Sequence, residues 1–178
     1  LNGDLLLMES RTSVRRITCH LLEQGRTLPG FIGDISYAQS NRERYEGFCQ
    51  ALADAGKKVD SSLCLTTPLG IDTYREEIDT FLSSLSRMPD AFVCASDYVA
   101  CILMQLLEKR GLRVPEDVAV SGFDNNTEDL LAEHLTTVQV FNEELGARLA
   151  LQILYRIKYP NTPHEITYLG TNVLYRDS

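Results

Sequence analysis

The chain has 178 residues, of which 44% are hydrophobic and 24% charged, so it can bury a packed core and is not expected to be disordered. Its net charge of −8 and sequence pI of about 4.9 argue against nucleic-acid binding by this chain, because such binding requires a basic face. The five cysteines include no C-x-x-C pair, which indicates reduced thiols in a cytoplasmic protein. No apolar run approaches the roughly 20 residues of a membrane span, so no membrane contact is expected.

Strands and helices are predicted to alternate along the chain, because short apolar runs alternate with apolar residues at helical spacing. The strands are expected at 5–8, 31–34, 63–65, 91–95, 118–120, 137–140, 166–168 and 173–175. The helices are expected at 12–24, 40–55, 72–85, 97–110, 127–132 and 142–158. The expected helix caps are Ser40, with Glu43 three residues on, and Asp72, Asp97 and Asn142. The first strand begins abruptly, so we expect a further segment before it in the natural protein.

This alternation predicts right-handed βαβ units. The expected fold class is α/β, with helices on both faces of an open parallel sheet.

Motifs that carry enzyme chemistry are missing from the sequence. There is no G-x-G-x-x-G, no G-x-x-x-x-G-K-[ST] and no G-x-S-x-G, so dinucleotide binding, P-loop phosphate binding and a serine nucleophile elbow are not supported. The three histidines, His20, His134 and His164, are scattered without metal-ligand spacing. We therefore predict no catalytic residues, no metal and no cofactor, and we do not expect an enzyme.

Polar side chains gather where the predicted strands end. Parallel strands end on one edge of a sheet, and open α/β folds bind ligands at that edge, so these groups are expected to converge. Arg44 supplies a fork of donors and Asp124 an acceptor, which together can clamp sugar hydroxyls or the edge of a base. Alternatively the pair neutralises itself, or Asp124 caps the helix after it. The remaining groups are residues 37–40, residues 66–69, Ser96 and Asp97, of which the last two favour turn and cap roles.

Four segments resemble LacI/GalR-type transcriptional repressors and occur in the order found there. They are Arg44-Tyr45-Glu46-Gly47-Phe48, Cys94-Ala95-Ser96-Asp97, the run LRVPEDVAVSGFDN that starts at Leu112, and Leu135-Thr136-Thr137-Val138. The likeness covers essentially the whole chain. It implies a periplasmic-binding-protein-like type I lobe, mainly the C-terminal one. Most of the N-terminal lobe and the DNA-binding headpiece would then be missing.

The resemblance also implies a division of the chain and a ligand site. Residues 1–8 would form a crossover strand from the missing lobe and 9–138 the effector-binding lobe. Residues 139–165 would hold the return crossing and a helix of the other lobe, and 166–178 a returning strand and tail. Arg44 and Asp124 would clamp the effector, and Ser40 and Ser96 would line its pocket. The preference for a sugar effector rests on the family alone, because 66–69 lacks the aromatic ring that some members place over their ligand.

Two functions of different classes are compatible with these features. The first is the effector-binding and dimerisation core of a DNA-binding regulator. Its lobes would close around a small polar metabolite and change operator affinity through the missing headpiece. The second is an extracytoplasmic binding protein that delivers a sugar to a transporter. The unpaired cysteines and the LRVPEDVAVSGFDN signature favour the regulator.

Two of the predicted helices call for further contacts. Helix 98–110 is apolar over most of its circumference, so it needs cover on more than one side. A homodimer contact is predicted there, with a neighbouring helix of the same chain as the alternative. The last helix carries an apolar stripe that we expect to dock on a neighbouring chain or on a part of the protein outside this sequence. The stripe consists of Leu145, Leu149, Ile153 and Ile157.

Overall fold

The computed structural model describes residues 3–70, 72–126 and 133–178, and its elements alternate along the chain as predicted. The strands are β1 (Leu5–Met8), β2 (Pro29–Ile32), β3 (Cys64–Leu65), β4 (Ala91–Cys94), β5 (Ala119–Ser121), β6 (Thr137–Gln139), β7 (Ile166–Leu169) and β8 (Asn172–Leu174). The helices are α1 (Arg11–Glu23), α2 (Gln39–Asp54), α3 (Tyr74–Ser84), α4 (Asp97–Lys109) and α5 (Asn142–Lys158), with a 3₁₀ turn at Ser61–Leu63. The predicted helix at 127–132 lies outside the described residues.

Four strands form a parallel sheet in the order β3-β2-β4-β5, which confirms the predicted α/β class. Successive residues of a strand point to opposite faces, and β4 shows this clearly. Phe92 and Cys94 pack into the core that α3 and α4 complete. Ala91 and Val93 pack into the core that α1 and α2 complete. Helices therefore cover both faces of the sheet, as the apolar run of this strand predicts.

Two smaller sheets join parts of the chain that are distant in sequence. β1 pairs in parallel with β7, and β6 pairs antiparallel with β8. Single backbone bridges from Ser121 to Thr136 and from Asp124 to Gln139 hold β6 beside the end of β5. The residues that follow β5 are thus fixed against a strand from the C-terminal part of the chain.

The predicted capping box at the start of α2 is wrong. The helix begins at Gln39 with Ala38 as its N-cap, and Ser40 lies inside the first turn without a capping bond. Glu43 accepts a hydrogen bond from the Gln39 side-chain amide at 3.2 Å instead of bonding the backbone of a cap residue. Ser40 and Glu43 are thereby left facing the space in front of the helix.

The other three predicted caps are each one residue away from the observed N-cap. The observed N-caps are Thr73 for α3, Ser96 for α4 and Phe141 for α5. Ser96 accepts a hydrogen bond from the Val99 amide at 3.3 Å. Asp97 does not cap α4, because its carboxylate bonds to other segments of the fold.

The apolar circumference of α4 is covered almost entirely within the chain. β4 and β5 contact one side of the helix and α3 another, and its apolar residues from Val99 to Leu107 are buried except Met104, which is half-buried. A neighbouring helix of the same chain therefore accounts for the composition of α4, as the alternative interpretation held. The homodimer contact stays a prediction, and it now rests on a smaller surface around Met104 and the exposed Tyr98.

Every residue of α5 is at least partly exposed, although the helix has a clear apolar stripe. Leu149, Ile153 and Ile157 are 50%, 53% and 73% exposed. Just before β1, the carboxylate of Asp4 accepts hydrogen bonds from Arg156 and Gln152 of the helix. The docking of the stripe on another chain or segment stays a prediction. Within the described parts of the chain, helices are too short or too polar to span a membrane.

Candidate functional site

A hydrogen-bonded loop leads from the end of β2 into α2. Asp34 is buried and accepts hydrogen bonds from the backbone amides of Ser36 at 2.8 Å, Tyr37 at 3.1 Å and Leu69 at 3.3 Å, and from the Ser36 hydroxyl at 2.6 Å. Burial acts to raise the pKa of Asp34, but the donors on it outweigh burial and hold the pKa below its ordinary value. This carboxylate therefore joins the loop before α2 to the segment that follows β3.

Arg44 projects from α2 into the fold and is 8% exposed. Its guanidinium lies over the ring of Phe123, with the central carbon 3.7 Å from the ring centroid. Nη1 donates to the carbonyl of Ala95, and Nη2 donates to Oδ1 of Asp124 at 3.4 Å. The buried Nε finds no hydrogen-bond partner among the described residues. Burial lowers the pKa of Arg44, and the carboxylates of Asp124, Asp97 and Glu43 oppose that change.

Asp124 follows β5 with a backbone φ of 110°, a conformation that non-glycine residues rarely adopt. Its amide donates to the carbonyl of Val138 at 3.1 Å, which anchors the strained residue to β6. The side chain of Asp124 is 42% exposed, whereas the side chain of Arg44 is 10% exposed. Burial raises the pKa of Asp124 and the charge of Arg44 opposes it. Asp124 therefore offers an acceptor to solvent while Arg44 holds its inner side.

A cleft of about 280 Å³ opens in front of this pair. It is bounded by β1, by the first turns of α2 and by the start of α5. Its polar lining comes from Gln39, Ser40, Glu43, Arg44, Asp124 and Asn142. Carboxylates, amides and a guanidinium around one small space can bond several hydroxyls at once, since each hydroxyl both donates and accepts. The described residues include no cluster of three or more His, Cys, Asp or Glu side chains suited to a metal ion.

Three of the four predicted site residues come together at this cleft. Arg44 and Asp124 form the ion pair at its base, and Ser40 lies on its rim, half-buried and without a capping role. Ser96 does not line the cleft and instead caps α4. The interpretation of Ser96 as a turn and cap residue therefore describes its position better than a pocket role.

Two buried acids near the cleft make long-range bonds that the sequence does not predict, because its pattern places Asp97 only among the polar groups at the strand ends and Glu43 only in a capping box. Glu43 is 5% exposed and accepts from the hydroxyl of Tyr168 at 3.1 Å, which brings β7 to the rim of the cleft. Asp97 is 2% exposed and accepts from the Thr137 hydroxyl at 2.6 Å. The two bonded pairs, Glu43 with Tyr168 and Asp97 with Thr137, are far apart in sequence, so no local pattern predicts either bond.

Residues 18–178 match the family of periplasmic binding protein-like domains. The chain belongs to this family. Among curated relatives, the HTH-type transcriptional regulator DegA of Bacillus subtilis (strain 168) is 35% identical over 130 residues, which cover 72% of this chain and 38% of DegA. The chain spans between 38% and 49% of the length of the first curated relatives that it matches.

Solved structures of transcriptional regulators are similar to this periplasmic binding protein-like domain over nearly its whole length. The complex of the transcriptional regulator CelR with cellobiose is 28% identical, with a TM-score of 0.88 over 99% of this chain and 54% of that one. A LacI family transcriptional regulator from Enterococcus faecium shares the fold at 23% identity, with a TM-score of 0.81 over 98% of this chain and 64% of that one. The domain is thus an effector-binding region of the LacI type, as the four sequence segments imply.

Proposed function

We propose that this domain is the effector-binding core of a LacI-type transcriptional regulator in the cytoplasm. It binds a small polar metabolite, with a sugar as the favoured ligand, in the cleft around Arg44 and Asp124. Through a DNA-binding headpiece outside this sequence, the ligand controls affinity for an operator. The observation that carries the proposal is the meeting of a buried guanidinium and a half-exposed carboxylate at the edge of the sheet. No catalytic step is assigned to these residues.

The two-lobed arrangement belongs to the same proposal. Residues 9–138 form the effector-binding lobe, and 1–8 and 139–165 contribute the crossing strands and a helix of the other lobe, with 166–178 returning as a strand and tail. The cleft of about 280 Å³ is slightly smaller than the roughly 300–1,000 Å³ usual for small-molecule sites, which fits a pocket with one wall in the other lobe. The exposed stripe of α5 and the open β1–β7 pair are consistent with this division.

A sugar is favoured by the chemistry of the lining and by one relative. The cleft offers a charged donor at Arg44, acceptors at Glu43 and Asp124, and an amide at Asn142. Adjacent sugar hydroxyls need donors and acceptors side by side, which this set supplies. The CelR complex contains cellobiose, and that protein shares the fold across nearly all of this chain.

The mechanism is a shift between two lobe arrangements. A ligand that touches Arg44 and Asp124 on one lobe and the opposite lobe at the same time binds the closed arrangement more tightly than the open one. That difference in affinity is the free energy available to move the headpieces. Asp124 is well placed for this role because its amide is bonded to β6, the strand that leads into α5.

A thermal-shift titration of the full-length protein with cellobiose and a panel of sugars and nucleobases tests the proposal. Arg44→Ala and Asp124→Ala should each weaken binding by about 10-fold to 100-fold, because each removes a hydrogen bond to a charged group worth about 1.5–3 kcal/mol. The matched controls are Arg15→Ala and Asp54→Ala, which break an ion pair on the outer surface of α1 and α2. A full response from either cleft variant removes that residue from the site.

We also propose that the domain forms a homodimer through the outer side of α4. Met104 is half-buried and Tyr98 is 59% exposed, so these side chains leave apolar surface open on that helix. Met104→Lys should yield monomers in analytical ultracentrifugation, because a charge at the centre of an apolar contact is desolvated without a partner. Gln50→Lys places the same charge on the exposed face of α2 and should leave the dimer intact. An unchanged dimer in Met104→Lys argues against this interface.

A further inference from the structure

Asp97 joins three segments of the fold with one side chain. It is the first residue of α4 and is 2% exposed. Its Oδ1 accepts from the hydroxyl of Thr137 on β6 at 2.6 Å, and its Oδ2 accepts from the amide of Asn126 at 2.7 Å. Its own amide donates to the carbonyl of Phe123 at 2.8 Å. The start of α4, the loop after β5 and strand β6 therefore meet at a single carboxylate.

The loop that Asp97 holds carries the acidic half of the proposed ligand clamp. Asp124 and Asn125 have backbone φ values of 110° and 51°, and two successive non-glycine residues in this region persist only where surrounding contacts hold them. The amide of Asn125 donates to the Thr137 hydroxyl at 3.3 Å, and the same hydroxyl donates to Asp97. The amides of Asn125 and Asn126 thus both lead to Asp97, one through Thr137 and one directly.

The backbone beside Asp97 leaves its carboxylate little freedom. A Cβ at Gly122 would lie 2.2 Å from Oδ1 and 3.0 Å from the Cα of Asp97. Only glycine allows such an approach, so the strand end and the start of α4 are in direct contact. Gly122 of the VSGFD segment and Asp97 of the CASD segment are therefore packed against each other, although 24 residues lie between them in the sequence.

We propose that Asp97, acting with Thr137, is a positioning residue. It holds the loop after β5 against β6 and so keeps the Asp124 carboxylate in the orientation that binds ligand. The inference rests on the proposed function, since it assigns a ligand to Asp124. Asp97 itself does not line the cleft, so it acts through the loop and not by touching ligand. Because β6 leads into α5, the same bonds tie the ligand loop to the strand that crosses between the lobes.

The test compares Thr137→Val, Asp97→Ala and Thr137→Ser in the full-length protein. Valine removes the hydroxyl and keeps the shape, whereas serine restores the hydroxyl. The control is Thr18→Val, which removes a buried hydroxyl bonded to the Val14 carbonyl of α1, away from the loop. Amide hydrogen exchange at Asn125 and Asn126 and the affinity for cellobiose are measured for each variant, together with the thermal midpoint.

Thr137→Val and Asp97→Ala should speed exchange of both amides at least about tenfold and weaken cellobiose binding by a similar factor, and Thr137→Ser should restore both. Thr18→Val should change the thermal midpoint without changing either readout. Exchange in Thr137→Val that matches Thr18→Val overturns the proposal. If the unaltered protein does not bind cellobiose, the exchange measurement still decides the role of Asp97, while the preference for this sugar fails separately.

Discussion

Phe123→Ala is expected to lower the free energy of unfolding by about 3–5 kcal/mol, the usual range for removing a fully buried aromatic ring. Phe123 has no exposed surface and packs in the core between the sheet and helices α1 and α2. Its ring also supports the guanidinium of Arg44. The truncation therefore opens a cavity directly beneath the guanidinium of Arg44, so the affinity for ligand should fall along with stability. Urea unfolding and a sugar titration measure the two effects.

A second variant separates the ring from its volume. Phe123→Leu keeps most of the apolar bulk but removes the aromatic face, and a desolvated cation on such a face is worth up to about 2 kcal/mol. The matched control is Phe92→Leu, because Phe92 is also fully buried and its ring partner is Phe81, not a cation. Phe123→Leu should be the more destabilising of the two. Equal losses would show that the contact between Arg44 and the ring contributes no more than the edge contact between Phe92 and Phe81.

The order and type of the elements could be predicted because they depend on local patterns. The apolar runs of β2, β4 and β5 reflect burial on both faces of a parallel sheet. A glycine after a helix reflects the left-handed backbone conformation needed there, as at Gly111 with a φ of 73°. The meeting of Arg44 and Asp124 at one edge of the sheet could also be predicted from position, whereas their role as a ligand clamp rests on the resemblance and stays a proposal. These inferences need only the period of the sequence and the direction of the strands.

Helix caps and long-range polar pairs could not be predicted in the same way. Ser96 and Asp97 are both good N-cap residues, and only the tertiary position of Thr137 shows that Asp97 is engaged elsewhere. The bond between Glu43 and Tyr168 joins residues on α2 and β7, so it depends on how the two ends of the chain meet. The apolar circumference of α4 left two alternatives open for a related reason, because composition indicates burial without showing which element provides the cover.

The titration of Asp97 gives a distinctive dependence of stability on pH. Burial raises the pKa of Asp97 to about 6, from an ordinary value of 3.8, and the nearby charge of Asp124 acts in the same direction. The bonds from Thr137 and Asn126 and the charge of Arg176 oppose this rise. A group whose pKa is higher in the folded protein favours folding below its unfolded pKa and loses that contribution as the pH rises through the folded value. Asp97 therefore stabilises the fold less at neutral pH than in acid, and a difference of this size corresponds to about 3 kcal/mol.

Asp97→Asn removes this titration while keeping the shape of the side chain. The stability of the unaltered protein relative to Asp97→Asn should fall by about 2 kcal/mol between about pH 4 and about pH 7, as measured by urea unfolding at each pH. Asp117→Asn provides a control of opposite sign, because hydrogen bonds from Arg113 lower the pKa of Asp117 and its contribution is lost as the pH falls. A flat difference for Asp97→Asn would mean that the bonds from Thr137 and Asn126 fully offset the effect of burial on the pKa of Asp97. If the stability difference falls with pH and Asp97→Asn also binds ligand more weakly than the unaltered protein at neutral pH, the fold keeps a destabilising charge because that charge positions Asp124.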